Sequence, residues 1–196
     1  MTNILVTIIA ISTAISVHEF GHAYVAHLLG DDTAKAYGRM TLNPMKHLDP
    51  IGLLCMIVFR FGWAKPVPVN SNNFKNYKVG NTLVSLAGAL FNVICAVICF
   101  IIAKNAPLQS IYLIASTTMS YNVFFASFNL LPLPPLDGWK IISPFIPYKY
   151  NDFVYKYEDL STVIFLVLIV SGMMSTFISP ISNFLFNIVF TLGTLI

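Results

Sequence analysis

The chain has 196 residues, of which 57% are hydrophobic and 10% charged, with a mean hydropathy of +0.76 and a formal net charge of +3. This composition excludes a water-soluble surface, and the small positive balance, carried by loops, argues for contact with anionic lipid and against nucleic acid. In hydrocarbon every backbone group must be satisfied internally, so the expected fold class is an all-α polytopic membrane protein, one helical bundle over residues 1–196.

The first apolar run, Ile4 to Leu29, is about 39 Å long if helical, enough to span a bilayer with tilt. No basic stretch precedes it, so it is not expected to be a cleaved signal. Within it lies Ile15-Ser16-Val17-His18-Glu19-Phe20-Gly21-His22, an HExxH motif. At about 100° per residue, His18 and His22 fall about 40° apart on one helix face and Glu19 about 100° from His18. Two imidazoles so placed can grip one Zn²⁺ while the carboxylate serves as general base. His27 falls about 180° from His18 and is a poor ligand candidate. An ionisable group at membrane depth costs at least ~2.5 kcal/mol, which favours a metal site over a chance match. Gly21 is read as letting a neighbouring segment approach.

Gly30-Asp31-Asp32 ends this helix, and residues 33–50, with glycine, two prolines and mixed charge, read as a loop folded back at the interface. Ile51 to Phe61 is too short for an ordinary span and is expected to be re-entrant. Pro66 and Pro68 force residues 63–70 to be extended, so this stretch is either a connector or a backbone edge for an extended partner. Cys55, Cys95 and Cys99 lack CxxC spacing and read as buried thiols.

Residues 82–103 form the second clear span, with Asn92 as a hydrogen-bonding group for helix packing or for a site. Residues 111–131 form the third, carrying Asn122 and Asn129. Three prolines, Pro132, Pro134 and Pro135, stop that helix, and Asp137-Gly138 follows on irregular backbone. Such backbone is tolerated at membrane depth only against protein or a wet cavity, and a buried aspartate there needs a cation. His18 and His22 lack a third ligand, and Asp137 is assigned to that place. Residues 161–196 carry no ionisable side chain. They are expected to form either one long span kinked at Ser179-Pro180 or two helices, 161–179 and 181–196, and the hairpin is preferred.

HEFGH at 18–22, GRMTLNPMKHLDPIG at 38–52, GWAKPVPVN at 62–70, SLAG to Asn92 at 85–92 and NLLPLPPLDG at 129–138 together resemble, in order, the elements of the site-2 protease family of intramembrane zinc metalloproteases. The resemblance implies one Zn²⁺ per chain held by His18, His22 and Asp137, with Glu19 catalytic. It implies hydrolysis of peptide bonds in or near transmembrane segments of protein substrates. Asn92 matches an asparagine of the family pattern, and Asn92 and Asn129 are candidate contacts to substrate or transition state. Ala89 stands where the family has proline, and Trp139 where a small residue is expected. With no PDZ or CBS element recognisable, the chain resembles the shortest branch.

If residues 51–61 do not cross, ten of the eleven lysines and arginines share one side and only Lys104 lies opposite. That is a positive-inside pattern, giving a multi-pass protein of a bacterial or archaeal cell membrane with its site towards the cytoplasm. Two other classes use similar residues. A pseudoprotease that only binds membrane partners would keep the ligands without turnover, and a metal transporter would need ionisable groups at several depths, which this chain lacks.

Overall fold

The computed structural model describes residues 4–52 and 64–195. Among them the backbone is helical, with one isolated antiparallel bridge between Leu48 and Ala64 and no strand. The expected re-entrant segment lies, but for its first two residues, outside the described residues, as does Cys55.

Helix α1, Ile4–Leu28, carries the HExxH motif and buries Ala10, Ala14, Ile15, His18, Glu19, His22 and Ala26. It ends where Gly30 takes φ +100. The Asp31 N–H returns to the Ala26 carbonyl and the Gly30 N–H to the His27 carbonyl, which together satisfy the last turn. A short helix, α2 (Thr33–Ala36), follows, then a single 3₁₀ turn at Pro44–Lys46, and after the undescribed stretch the chain runs without regular structure through 65–70.

Helix α3, Tyr77–Lys104, starts at Asn76, whose side chain accepts from the Val79 N–H. Small residues let it lie against α1: a methyl group on Gly21 would come within 2.8 Å of the Ala87 carbonyl oxygen. In a membrane, where lipid is as apolar as leucine, such close packing rather than water exclusion holds helices together. Helix α4, Gln109–Asn129, is the most polar of the long helices; Thr118 and Ser120 return their hydroxyls to carbonyls one turn back. The bundle core joins α3 and α4 to a C-terminal helix through Ala89, Ala96, Val123, Ala126, Leu185 and Val189.

Helix α5, Asp137–Ile142, is a short element after the proline-rich loop. The Trp139 indole N–H donates to Glu158 at 2.7 Å and its ring lies against Tyr157. The departure from a small residue at 139 therefore ties α5 to α6 (Asn151–Val170). Helix α7, Met174–Leu195, completes the chain.

Two C-terminal helices are present, with boundaries unlike those expected. The break falls at Ser171-Gly172, where Gly172 takes φ +73. Pro180 sits inside α7. A proline within a spanning helix forfeits one hydrogen bond but need not end it, whereas a positive φ reverses the chain. Helices α1, α3 and α7 are long and apolar enough to cross a membrane.

Candidate metal centre

His18 and His22 project from one face of α1, and Asp137 meets them from the first turn of α5, 119 residues from His18. The His18 Nε2, His22 Nε2 and Asp137 Oδ2 atoms stand 3.0 Å from one another in all three pairings. All three side chains are buried. Asp137 Oδ1 lies 3.0 Å from the Lys140 ammonium, one turn on.

The far nitrogen of each imidazole fixes its tautomer. His22 Nδ1 lies 2.7 Å from the Val84 carbonyl oxygen and must donate to it. His18 Nδ1 lies 2.8 Å from Asn92 Oδ1. The Asn92 carboxamide N–H groups donate to the Ala14 carbonyl at 2.9 Å and to Asn122 Oδ1 at 2.8 Å, so its oxygen is the atom turned to His18. That network assigns the proton to Nδ1 of both histidines.

Both Nε2 atoms consequently present bare lone pairs to each other and to a carboxylate oxygen. Three acceptors at 3.0 Å with no proton among them repel unless a cation lies between. Zinc ligands at 2.0–2.1 Å in tetrahedral arrangement would be separated by about 3.3 Å, close to this triangle. Histidine ligands typically donate their other N–H to a carbonyl or carboxylate oxygen, as both do here. The donor set, two imidazoles and one carboxylate, suits Zn²⁺ with a position left open. Among the described residues these three form the one group of His, Cys, Asp and Glu arranged to hold a metal ion.

Gly88 of α3 shapes the floor of the site. A Cβ there would come within 2.5 Å of His18 Cε1 and 2.6 Å of His22 Nε2. Phe125 packs edge-on against the His18 ring at 4.9 Å.

Glu19 is buried, and its Oε2 accepts the Val67 N–H at 2.7 Å. It thus joins the HExxH helix to the extended residues 64–70. Several other bonds pin that segment. The Lys65 N–H meets the His47 carbonyl, and Arg39 donates to the Lys65 and Pro66 carbonyls. Asp31, just past α1, accepts from the Asn70 N–H, the Asn73 side chain and the backbone and hydroxyl of Thr33. Burial raises the Asp31 pKa, but these donors outweigh it and hold the carboxyl below its ordinary value.

The remaining sequence candidates fall elsewhere. Asn92 spends its carboxamide on His18, Ala14 and Asn122, which makes it a residue that positions His18. Asn129 donates to the Phe125 carbonyl of its own helix and bonds to none of the three donors. His27 pairs with Asp32, and His47 donates to the Thr41 carbonyl, both outside the triangle. Asn122, Gly88, Val84 and Val67 were not singled out as site residues from sequence. Asn122 left a trace there as a carboxamide within an apolar span, and Gly88 and Val67 fall inside the family-like elements at 85–92 and 62–70.

Among proteins of curated sequence, the chain is 39% identical to YwhC of Bacillus subtilis over 186 residues, which is 90% of this chain and 85% of YwhC. It is 30% identical to Rip2 of Mycolicibacterium smegmatis over 67% of this chain and 53% of Rip2. It is 28% identical to MJ0611 of Methanocaldococcus jannaschii over 81% of this chain and 77% of that protein. All three names provisionally class their proteins as zinc metalloproteases. No family profile and no solved structure matched.

Proposed function

The chain belongs to the zinc metalloprotease family of YwhC and these relatives, consistent with its site-2 protease motifs, and from that membership we propose that it cleaves peptide bonds in or near transmembrane segments of membrane proteins. The observation that carries the proposal is the convergence of three proton-free donor atoms, two of them on a helix long and apolar enough to span a membrane and the third on α5, with Glu19 beside them.

In this reading His18, His22 and Asp137 hold the metal and Glu19 is the general base. Zn²⁺ bound there supplies Lewis acidity and lowers the pKa of water towards ~7. The Val67 N–H holds Glu19 Oε2, which leaves Oε1 to take a proton from the attacking water and hand it to the departing amine. Asn92 and the Val84 carbonyl keep the histidines in the tautomer that frees Nε2. Two carboxylates balance the charge of Zn²⁺, which makes the cluster tolerable at low dielectric.

A substrate helix hides its carbonyls in hydrogen bonds and must unwind before attack. The extended residues 66–70 suit a partner strand: the Val69 N–H and the Val67 and Val69 carbonyls bond to no other group among the described residues. In extended backbone, groups two residues apart point the same way, here the side on which Val67 meets Glu19. The distribution of lysine and arginine supports a reading in which this segment lies towards the cytoplasm.

A Glu19→Gln protein, crosslinked in native membranes and analysed by mass spectrometry, tests the proposal. Single-pass proteins caught by this form and shortened only when active enzyme is restored would support proteolysis. Captured partners whose length never changes would make the chain a binding protein.

A further inference from the structure

We propose that α7 is a self-association surface, through which two copies of this chain pair in the membrane by way of Asn183 and Asn187. The inference is independent of the catalytic reading.

Helix α7 exposes a set of polar groups that is unusual for a membrane helix. Met174, Ile178, Leu185, Val189 and Gly193 are buried against the rest of the protein. The outward surface exposes Thr176, Ser179, Asn183, Asn187 and Thr194 beside Phe177, Phe184, Phe190, Leu192 and Leu195. On a soluble protein this arrangement is ordinary. In a helix of spanning length and hydropathy it sets polar groups against acyl chains.

The two asparagines sit where lipid tolerates them least. Nine residues of α7 precede Asn183 and eight follow Asn187, so both lie at mid-span. Neither carboxamide bonds to any described residue, whereas Asn92, Asn122 and Asn129 each have their carboxamide N–H bonded within the bundle. Pro180, which has no N–H, leaves the Thr176 carbonyl on the same face without its helical donor. Asn183, Phe186, Asn187 and Phe190 line an open cavity of about 500 Å³, room for side chains of a second helix.

A second copy fits this face for a symmetry reason. Identical chains insert with one orientation, so a pair is related by a two-fold axis along the membrane normal. Each residue near that axis meets its own counterpart at equal depth. A carboxamide is donor and acceptor at once and can bond to its like, which an ammonium or carboxylate cannot. Asn183 and Asn187, one turn apart, would pair reciprocally. Polar side chains bonding across helices are a recognised source of helix association in lipid.

The test uses the full chain labelled at an introduced Gln109→Cys and reconstituted alone into phosphatidylcholine vesicles, with energy transfer between donor- and acceptor-labelled copies as readout. Transfer should exceed random encounter and persist on tenfold lipid dilution. Asn183→Leu/Asn187→Leu should weaken association at least tenfold with zinc content unchanged, and Asn183→Gln/Asn187→Gln should restore it to within threefold. As a second measurement, oxidation of Asn183→Cys should give a covalent dimer and oxidation of Phe184→Cys, on a neighbouring face, should not. Absence of transfer in the parent overturns the proposal and leaves the face to a different protein or to none. Leucine variants that associate as the parent does, or crosslinking at 184 but not 183, overturn it equally.

Discussion

The Glu19 carboxylate accepts the Val67 N–H at 2.7 Å, a bond that joins the HExxH helix to an extended segment 48 residues away. It orients the proposed base with one oxygen and leaves the other free. Val67→Pro removes this donor with the backbone kept extended, as Pro66 and Pro68 already hold it. Turnover should fall about 10-fold or more with zinc retained, the scale expected when a supporting contact is lost. Val67→Ala, which keeps the N–H, should lose far less. Equal losses in both variants would assign the effect to side-chain packing.

Glu19→Gln preserves shape and the bond from Val67 but cannot take a proton. Cleavage should drop by about 10²–10⁴-fold while metal content stays that of the parent. Residual turnover within tenfold of the parent would remove Glu19 from its role.

Gly88 and Asn92 support the histidines from α3. Gly88→Ala places a Cβ where the rings are, so the protein should lose its metal. Asn92→Leu strips His18 Nδ1 of its acceptor and should lower zinc affinity by about 10–100-fold. Metal titration of each purified variant gives the answer, and an unchanged affinity in Asn92→Leu would break the assignment of the His18 tautomer.

Acid should loosen the clamp at Asp31. Its folded pKa is below the ordinary value, so around that value the unfolded chain binds more protons and stability rises with pH. The contribution is therefore present above about pH 4, the unfolded pKa, and is lost as pH falls through the folded pKa. Asp31→Asn should be less stable than the parent at pH 7, by about 2 kcal/mol for charge-assisted bonds to buried partners. The gap should close on acidification. Thermal unfolding in detergent between pH 7 and 3 measures it, and a gap that stays constant would show that the carboxylate's charge is immaterial.

Topology is open to direct labelling. Cysteines introduced at Lys75 and Tyr148 should react with an impermeant maleimide from the cytoplasmic side, and one at Gln109 from outside. External labelling at 75 would move the extended segment to the other face of the membrane and overturn its proposed cytoplasmic placement.

How much of this was visible in the chain follows from what kind of signal each feature leaves. The α1 span and its two histidines follow from hydropathy and a four-residue spacing, both local properties. Asp137 could be singled out because three prolines end α4 just before a lone carboxylate, although that carboxylate opens helix α5 and does not lie on irregular backbone. The Val67 and Asp31 contacts left no such mark: a backbone N–H has no sequence signature, and an aspartate after Gly30 looks like any helix terminus. The break between α6 and α7 was misplaced because Pro180 is conspicuous and Gly172 is not, although only the positive φ at Gly172 turns the chain. The polar face of α7 was hidden by the high average hydropathy of its span.

Zinc content of the purified protein and three single variants tests the account at its centre. One zinc per chain is expected in the parent and in Glu19→Gln and His47→Ala, with loss from Asp137→Ala. Zinc retained by Asp137→Ala and lost from His47→Ala would contradict the site described here, because the metal would then depend on a histidine that lies outside the triangle of His18, His22 and Asp137.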